Sequence, residues 1–129
     1  MQPAVNKKKV FVIEDDPFLV KAYQSAFVKE NMEVWMAQDG ETAITFLDRE
    51  APDIVLLDLM LPGMNGFEVL GKMRNHPKWR EVPVIIVSNL GEPADIEKGK
   101  KLGVVEYKVK VQTNMDSIIR DIKHHLHLD

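Results

Sequence analysis

Residues 54–66 read Ile54-Val55-Leu56-Leu57-Asp58-Leu59-Met60-Leu61-Pro62-Gly63-Met64-Asn65-Gly66, and this stretch decides the fold. Its first four residues are apolar without interruption, the pattern of a strand buried on both faces. The run reaches a carboxylate at Asp58. Pro62, Gly63 and Gly66 then break regular structure before a helix built on Phe67, Leu70 and Met73. Antiparallel strands with one wet face alternate instead. A continuous run ending in a polar residue fits a parallel strand covered by helices on both sides.

The same pattern recurs on either side. Upstream, Val10-Phe11-Val12-Ile13 runs into Glu14-Asp15-Asp16. Asp16-Pro17 then opens a helix, with Asp as N-cap and Pro at the first helical position. Leu19, Ala22, Tyr23, Ala26 and Phe27 make its apolar face at three-and-four spacing. Glu33 to Gln38 is a second strand, and Asp39-Gly40 turns into a helix over about Glu41 to Arg49. Downstream, Val84 to Ser88 repeats the apolar run with a polar end. The helix after it, about Ala94 to Leu102, has only Ile96 and Leu102 as strong apolar anchors, and Gly99 lies inside it. Gly103 is a natural C-cap. Val105, Tyr107, Val109 and Val111 alternate with Glu106, Lys108 and Lys110, which suits an edge strand guarded by lysines. Thr113 or Asn114 caps a last helix whose face is Met115, Ile118, Ile119 and Ile122. The sum is (βα)₅ with right-handed crossovers, an α/β doubly wound sandwich around a five-stranded parallel sheet.

The whole chain agrees with one such domain. It has 129 residues, 45% hydrophobic and 29% charged, without cysteine. Disulfide scaffolds, cysteine metal sites and thiol nucleophiles are thereby excluded. Seventeen Lys and Arg against 20 Asp and Glu give a net charge of −3. That argues against direct nucleic-acid binding, which favours a basic domain. No apolar run approaches the roughly 20 residues of a membrane span. Lys7-Lys8-Lys9 followed by Val10 to Ile13 resembles a signal peptide, but Glu14-Asp15-Asp16 ends the apolar stretch too soon. The expected location is the cytoplasm.

In an open parallel sheet, ligands bind beyond the carboxyl ends of the strands. There this sequence places Glu14-Asp15-Asp16, Asp58, Ser88-Asn89 and, on the fifth strand, Lys110. If the first and third strands are neighbours, three carboxylates share one pocket. Two unit charges about 4 Å apart repel by roughly 4 kcal/mol at an effective dielectric near 20, so the cluster favours a cation or a proton. An all-oxygen site partly open to water suits Mg²⁺ rather than zinc. A hard cation beside a carboxylate, with a lysine and a hydroxyl opposite, is an arrangement for phosphoryl transfer with Asp58 as nucleophile.

Four pieces in this order resemble the receiver domains of two-component response regulators, similar to the chemotaxis-type stand-alone regulator. They are Val10 to Asp16, Val55 to Gly66, Ser88, and Tyr107-Lys108-Val109-Lys110, with Ser88 30 and Lys110 52 residues after Asp58. The resemblance covers about Lys9 to Leu126. It implies a flavodoxin-like fold with strand order 2-1-3-4-5, a receiver domain over 9–127 and an N-terminal extension over 1–8. It implies that Asp58 accepts a phosphoryl group from a histidine kinase or histidine phosphotransfer protein. Asp15 and Asp58 would ligate Mg²⁺ directly, Glu14 through water, and Met60 through its main-chain carbonyl. Ser88 and Lys110 would contact the phosphoryl oxygens, and Tyr107 would be the switch aromatic. The surface around the fourth helix, fifth strand and fifth helix would then change. The module would catalyse only its own phosphorylation and dephosphorylation. Its target is a downstream protein, or an output domain outside this sequence.

Each residue also has a plain structural reading. Asp15 and Glu14 suit a solvated strand end, Asp58 an Asx turn before Pro62, Ser88 a turn, Lys110 an edge guard and Tyr107 the core. His124 and His127 could share a helix face, though a solvated terminus suits them better. Trp35 and Trp79 read as packing residues. Three departures from the family pattern stand out. Val111 follows the lysine where Pro is usual, Asn65 replaces a common Asp in the loop after Asp58, and Lys108 takes a position that is often apolar. An aspartyl phosphatase of the haloacid-dehalogenase kind would need a second Asp where Met60 stands. A flavin carrier of similar topology would need a Gly/Ser/Thr-rich loop where Glu14-Asp15-Asp16-Pro17 stands.

Overall fold

The three runs without polar interruption take the middle of the sheet. They are β1 (Lys9–Ile13), β3 (Ile54–Leu57) and β4 (Val84–Ser88), while the partly exposed β2 (Glu33–Ala37) and β5 (Glu106–Val109) take the edges. This is a computed structural model, and it describes residues 7–128. All strand pairs are parallel and the order is β2-β1-β3-β4-β5, which is the expected 2-1-3-4-5. The expected extension over 1–8 falls outside the described residues except for Lys7 and Lys8, both exposed ahead of β1.

Helices cover both faces. On one, α1 (Pro17–Lys29) and α5 (Met115–His125) bury Tyr23, Phe27, Ile118 and Ile122 against Val10, Val12, Leu56, Ile85 and Val87. On the other, α2 (Gly40–Thr45) and α3 (Gly66–Arg74) bury Ala43, Val69, Leu70 and Met73 against Phe11, Ile13, Leu57 and Ile86. The fourth helix, α4 (Pro93–Lys101), also lies on this second face; its single buried residue is Gly99, where an added Cβ would come within 3.1 Å of Ile86 Cδ1.

Three local expectations change. The buried stripe of α1 is Val20, Tyr23 and Phe27, and Ala22 is exposed. Spacings of three and seven residues bring the larger Val20 to the core, where it removes more apolar area from water than an Ala methyl would. The helix expected as far as Arg49 is α2 as far as Thr45, then a 3-10 turn over Phe46–Asp48. The fifth strand ends at Val109, opposite Ser88, where its ladder partner runs out. Lys110–Gln112 form a 3-10 turn, which leaves Val111 81% exposed instead of in the strand.

Lys108 does not guard an exposed edge. It ion-pairs with Asp121 of α5 and donates to Ser117 Oγ at 3.1 Å. Alternation along β5 turns one face toward a helix, because this sheet has no solvent face. His127 lies past the end of α5 with φ 58°, so it shares no helix face with His124, and His125 Nε2 lies 3.3 Å from Glu106 Oε1. Trp79 is fully buried, and half-buried Trp35 meets Phe11 edge-on.

Candidate functional site at the carboxyl edge of the sheet

Register brings the carboxylates together. Ile13 pairs with both Ala37 and Leu57, so the next residues, Glu14 and Asp58, emerge side by side. Backbone bonds hold both strand ends, Asp58 N to Ile13 O at 2.9 Å and Glu14 N to Ala37 O at 3.0 Å. Oxygens of Glu14, Asp15 and Asp58 lie within 4.8 Å of one another. Glu14 and Asp58 are nearly sealed, at 2% and 4% exposed, whereas Asp15 is open to solvent.

One cation joins the buried pair. Lys110 Nζ lies 2.6 Å from Asp58 Oδ2 and 2.7 Å from Glu14 Oε1. Its stem reaches back from the 3-10 turn after β5, so Val111 in the place of Pro does not prevent the contact. The remaining oxygens are also held: Asp58 Oδ1 accepts from Met60 N at 3.0 Å and Glu14 Oε2 from Asp16 N at 3.1 Å. The Asx turn expected of Asp58 is thus present together with the ion pair. Asp16 is the N-cap of α1, accepting from Phe18 N at 2.9 Å.

Burial raises the Glu14 pKa; the hydrogen bonds from Lys110 and the Asp16 amide oppose the rise, and Asp58 adds to it. Lys110 is carried above the ordinary lysine value. Burial works against its charge, but the hydrogen bonds to Asp58 and Glu14 outweigh that cost. Buried Tyr23, under the pocket, is pushed up by burial and then by the Glu14 and Asp58 charges.

Ser88 and Tyr107 meet through one backbone residue. Ser88 is fully buried, and its Oγ accepts from Leu90 N at 3.3 Å. The Leu90 carbonyl accepts from the Tyr107 hydroxyl. Half-buried Tyr107 packs on α4 at Gly99, where an added Cβ would lie 3.0 Å from its Cδ2. Burial, then Asp95 and Asp58, push the Tyr107 phenol up to about 12.

Sequence reasoning did not find Leu90, because the link uses main-chain atoms that any residue carries. It also passed over Arg74 at the end of α3. That guanidinium donates to the carbonyls of Leu102 at 2.7 Å, Val82 at 2.9 Å, Arg80 at 3.1 Å and Gly103 at 3.3 Å. It ties α3 to the segments that precede β4 and β5. A lone arginine at a helix end carries no signal of that role.

The model of the response regulator receiver domain family matches residues 10–123. Response regulator PleD of Caulobacter vibrioides is 34% identical over 102 residues, covering 79% of this chain and 22% of that protein. The chain spans only 15% to 43% of the length of the curated relatives it matches. Among solved structures, the phosphorylated cyanobacterial phytochrome response regulator RcpA superposes with a TM-score of 0.82 at 29% identity over 95% of each chain. A CheY-like receiver domain protein from Methanospirillum hungatei JF-1 reaches a TM-score of 0.87 at 21% identity, again over 95% of each chain, a likeness of fold. With the (βα)₅ order, the acidic pocket and the lysine at its rim, these matches place the chain in the response regulator receiver domain family of phosphorelay signalling.

Proposed function

We propose that Asp58 accepts a phosphoryl group from a phosphohistidine on a histidine kinase or histidine phosphotransfer protein, and that Ser88 and Tyr107 carry the change to the surface of α4, β5 and α5. The observation that carries this reading is the convergence of Glu14, Asp15, Asp58 and Lys110 within hydrogen-bonding or near-contact distance. An Asp58 carboxylate oxygen forms a bond to phosphorus as the bond from phosphorus to the imidazole nitrogen breaks, its electron pair staying on the ring. Lys110, already at Asp58, supplies a flexible point charge for a phosphoryl oxygen. Buried Ser88 adds a directed donor once its hydroxyl turns to the new group. That turn gives up the bond from the Leu90 amide and loosens the carbonyl that holds Tyr107.

The donor set fits Mg²⁺. Carboxylate oxygens from three residues converge, one of them solvent-facing, and no nitrogen or sulfur ligand joins the cluster among the described residues. Asp15 and Asp58 would hold the ion directly, Glu14 through water and Met60 by its carbonyl; bound there, it would offset the charge of the transferred group. The module acts in signalling rather than turnover and catalyses only its own phosphorylation and dephosphorylation. Its output passes to a downstream protein or a further domain, in the cytoplasm. Among the described residues no helix is long and apolar enough to cross a membrane.

Acetyl phosphate with Mg²⁺ should add one phosphoryl mass to the intact protein, and Asp58→Asn should abolish the gain. Equal labelling of the Asn variant would remove Asp58 from the mechanism. Beryllofluoride with Mg²⁺ should shift amide signals of Ser88, α4 and Tyr107; an unchanged spectrum there would retire the switch.

A further inference from the structure

Residues 72–81 and 97–101 hold seven of the chain's 17 Lys and Arg and two of its 20 Asp and Glu, which leaves ten against eighteen elsewhere. A chain of net charge −3 therefore has one basic end. Folding shapes part of that end into an open groove of about 460 Å³. Its lining residues precede β4 and β5, so it lies at the amino edge of the sheet, away from Asp58. Arg74, Arg80 and Lys101 line it against a single acid, Glu81. Pro83, Leu102 and Val105 add apolar surface, and Val105 is 38% exposed. Arg74 spends four of its five N–H groups on carbonyls, which fixes the guanidinium in the wall and leaves one donor. Burial works against its charge, so an anion beside it offsets a cost already present. Cations suit the carboxyl ends of helices, which accounts for Lys72 and Lys100. Arg80 lies outside any helix, and its guanidinium has no partner among the described residues. Lys101 meets Glu97 at 3.5 Å, both of them exposed, a contact worth little.

We propose that this groove docks a carboxylate-rich protein segment that also carries an aliphatic side chain. Its carboxylates meet Arg80, Lys101 and the remaining N–H of Arg74, and its aliphatic group covers Val105 and Pro83. A nucleic acid fits less well, because a long phosphate chain would run past the patch onto a surface with an excess of acids. Docking there leaves the carboxyl edge of the sheet open, so it is independent of Asp58 as phosphoryl acceptor.

The probe is the peptide acetyl-(Glu-Leu)₃-amide, titrated into the isotope-labelled full chain. The expected result is saturable shifts of the Arg80, Gly103 and Val105 amides, with affinity falling about tenfold between about 0.05 and about 0.5 M salt. Arg80→Glu combined with Lys101→Glu should weaken the peptide by about tenfold or more. Lys21→Glu combined with Lys29→Glu makes the same change in net charge on the outer side of α1 and should leave binding unchanged. All four residues are exposed, and unmoved amide signals for Val55 and Leu56 check that each variant is folded. Acetyl-hexaglutamate should bind about fivefold more weakly than the alternating peptide, having no aliphatic group for Val105. No saturable shifts in the wild type, or an equal loss in both double variants, overturns the groove as a docking site. Equal binding of acetyl-(Lys-Leu)₃-amide overturns the charge match, and equal binding of hexaglutamate overturns the apolar contact. The same shifts from inorganic phosphate at equal concentration would reduce the groove to an anion site and overturn the protein segment. Tighter binding of a short single-stranded DNA would overturn it in favour of nucleic acid.

Discussion

Replacing Lys110 by Met keeps an apolar stem and removes the ammonium that lies 2.6 Å from Asp58 and 2.7 Å from Glu14. Both carboxylates are nearly closed to water, so the metal-free variant must hold two like charges together or protonate one. Their oxygens lie within 4.8 Å, where two unit charges repel by about 3.5 kcal/mol at an effective dielectric near 20. Carrying Glu14 from its ordinary 4.5 to protonation at pH 7 costs about 3.4 kcal/mol, at 1.36 kcal/mol per unit. Burial already pushes Glu14 upward, which makes that figure a ceiling. The two routes converge on a loss of about 3 kcal/mol, at the low end of the ~3–5 kcal/mol for breaking a buried pair. The pH dependence separates this cause from lost packing. Glu14 is an acid raised on folding, so its contribution is full below its ordinary value and is lost as pH rises through the folded one. Without Lys110 to oppose the rise, that loss grows, and the gap between wild type and variant should shrink to about 1.4 kcal/mol at pH 5.5. Urea unfolding in EDTA, followed by the fluorescence of buried Trp79, measures both gaps. A difference below about 1 kcal/mol at pH 7, or an equal gap at both pH values, would refute the argument.

Mg²⁺ at about 100 times its Kd should stabilise the wild type against urea by about 2.7 kcal/mol, EDTA should reverse this, and Asp15→Asn should lose most of the gain. Because Asp15 is exposed, solvent screens its repulsion with Glu14 and Asp58, and without metal the same variant should be at least as stable as the wild type. Arg74→Met leaves four carbonyls without their donor and should cost about 2–3 kcal/mol, with faster amide exchange at Leu102 and Gly103; a loss under about 0.5 kcal/mol would deny Arg74 its tie. Tyr107 has a phenol raised from 10.0 to about 12, so its contribution is whole below pH 10 and is lost as pH rises toward 12. The alkaline fall in stability over that interval should be shallower in Tyr107→Phe, as thermal melts at stepped pH would show.

The fold was legible because the strongest local signals agree with the global arrangement. Ile54 to Leu57 and Val84 to Val87 have no polar residue that could face water, so only the interior of a covered parallel sheet suits them. Signals weakened where one layer meets the next. Ala22 and Val20 both fit a helical stripe, and packing against the sheet buries the larger Val20. Lys108 has the pattern of an edge guard, but Asp121 of α5 lies against it.

For the site, strand ends and spacing along the chain brought Glu14, Asp15, Asp58, Ser88 and Lys110 to one edge before any coordinates were needed. A parallel strand can place its last side chain only at the carboxyl edge, whatever surrounds it. Only the tertiary structure decided that Lys110 spans both buried carboxylates, that Leu90 links Ser88 to Tyr107, and that Arg74 gathers four carbonyls. Those features depend on side-chain reach and on main-chain groups that any residue carries. Periodicity along a chain records which face a residue takes; distances across that face are set by packing.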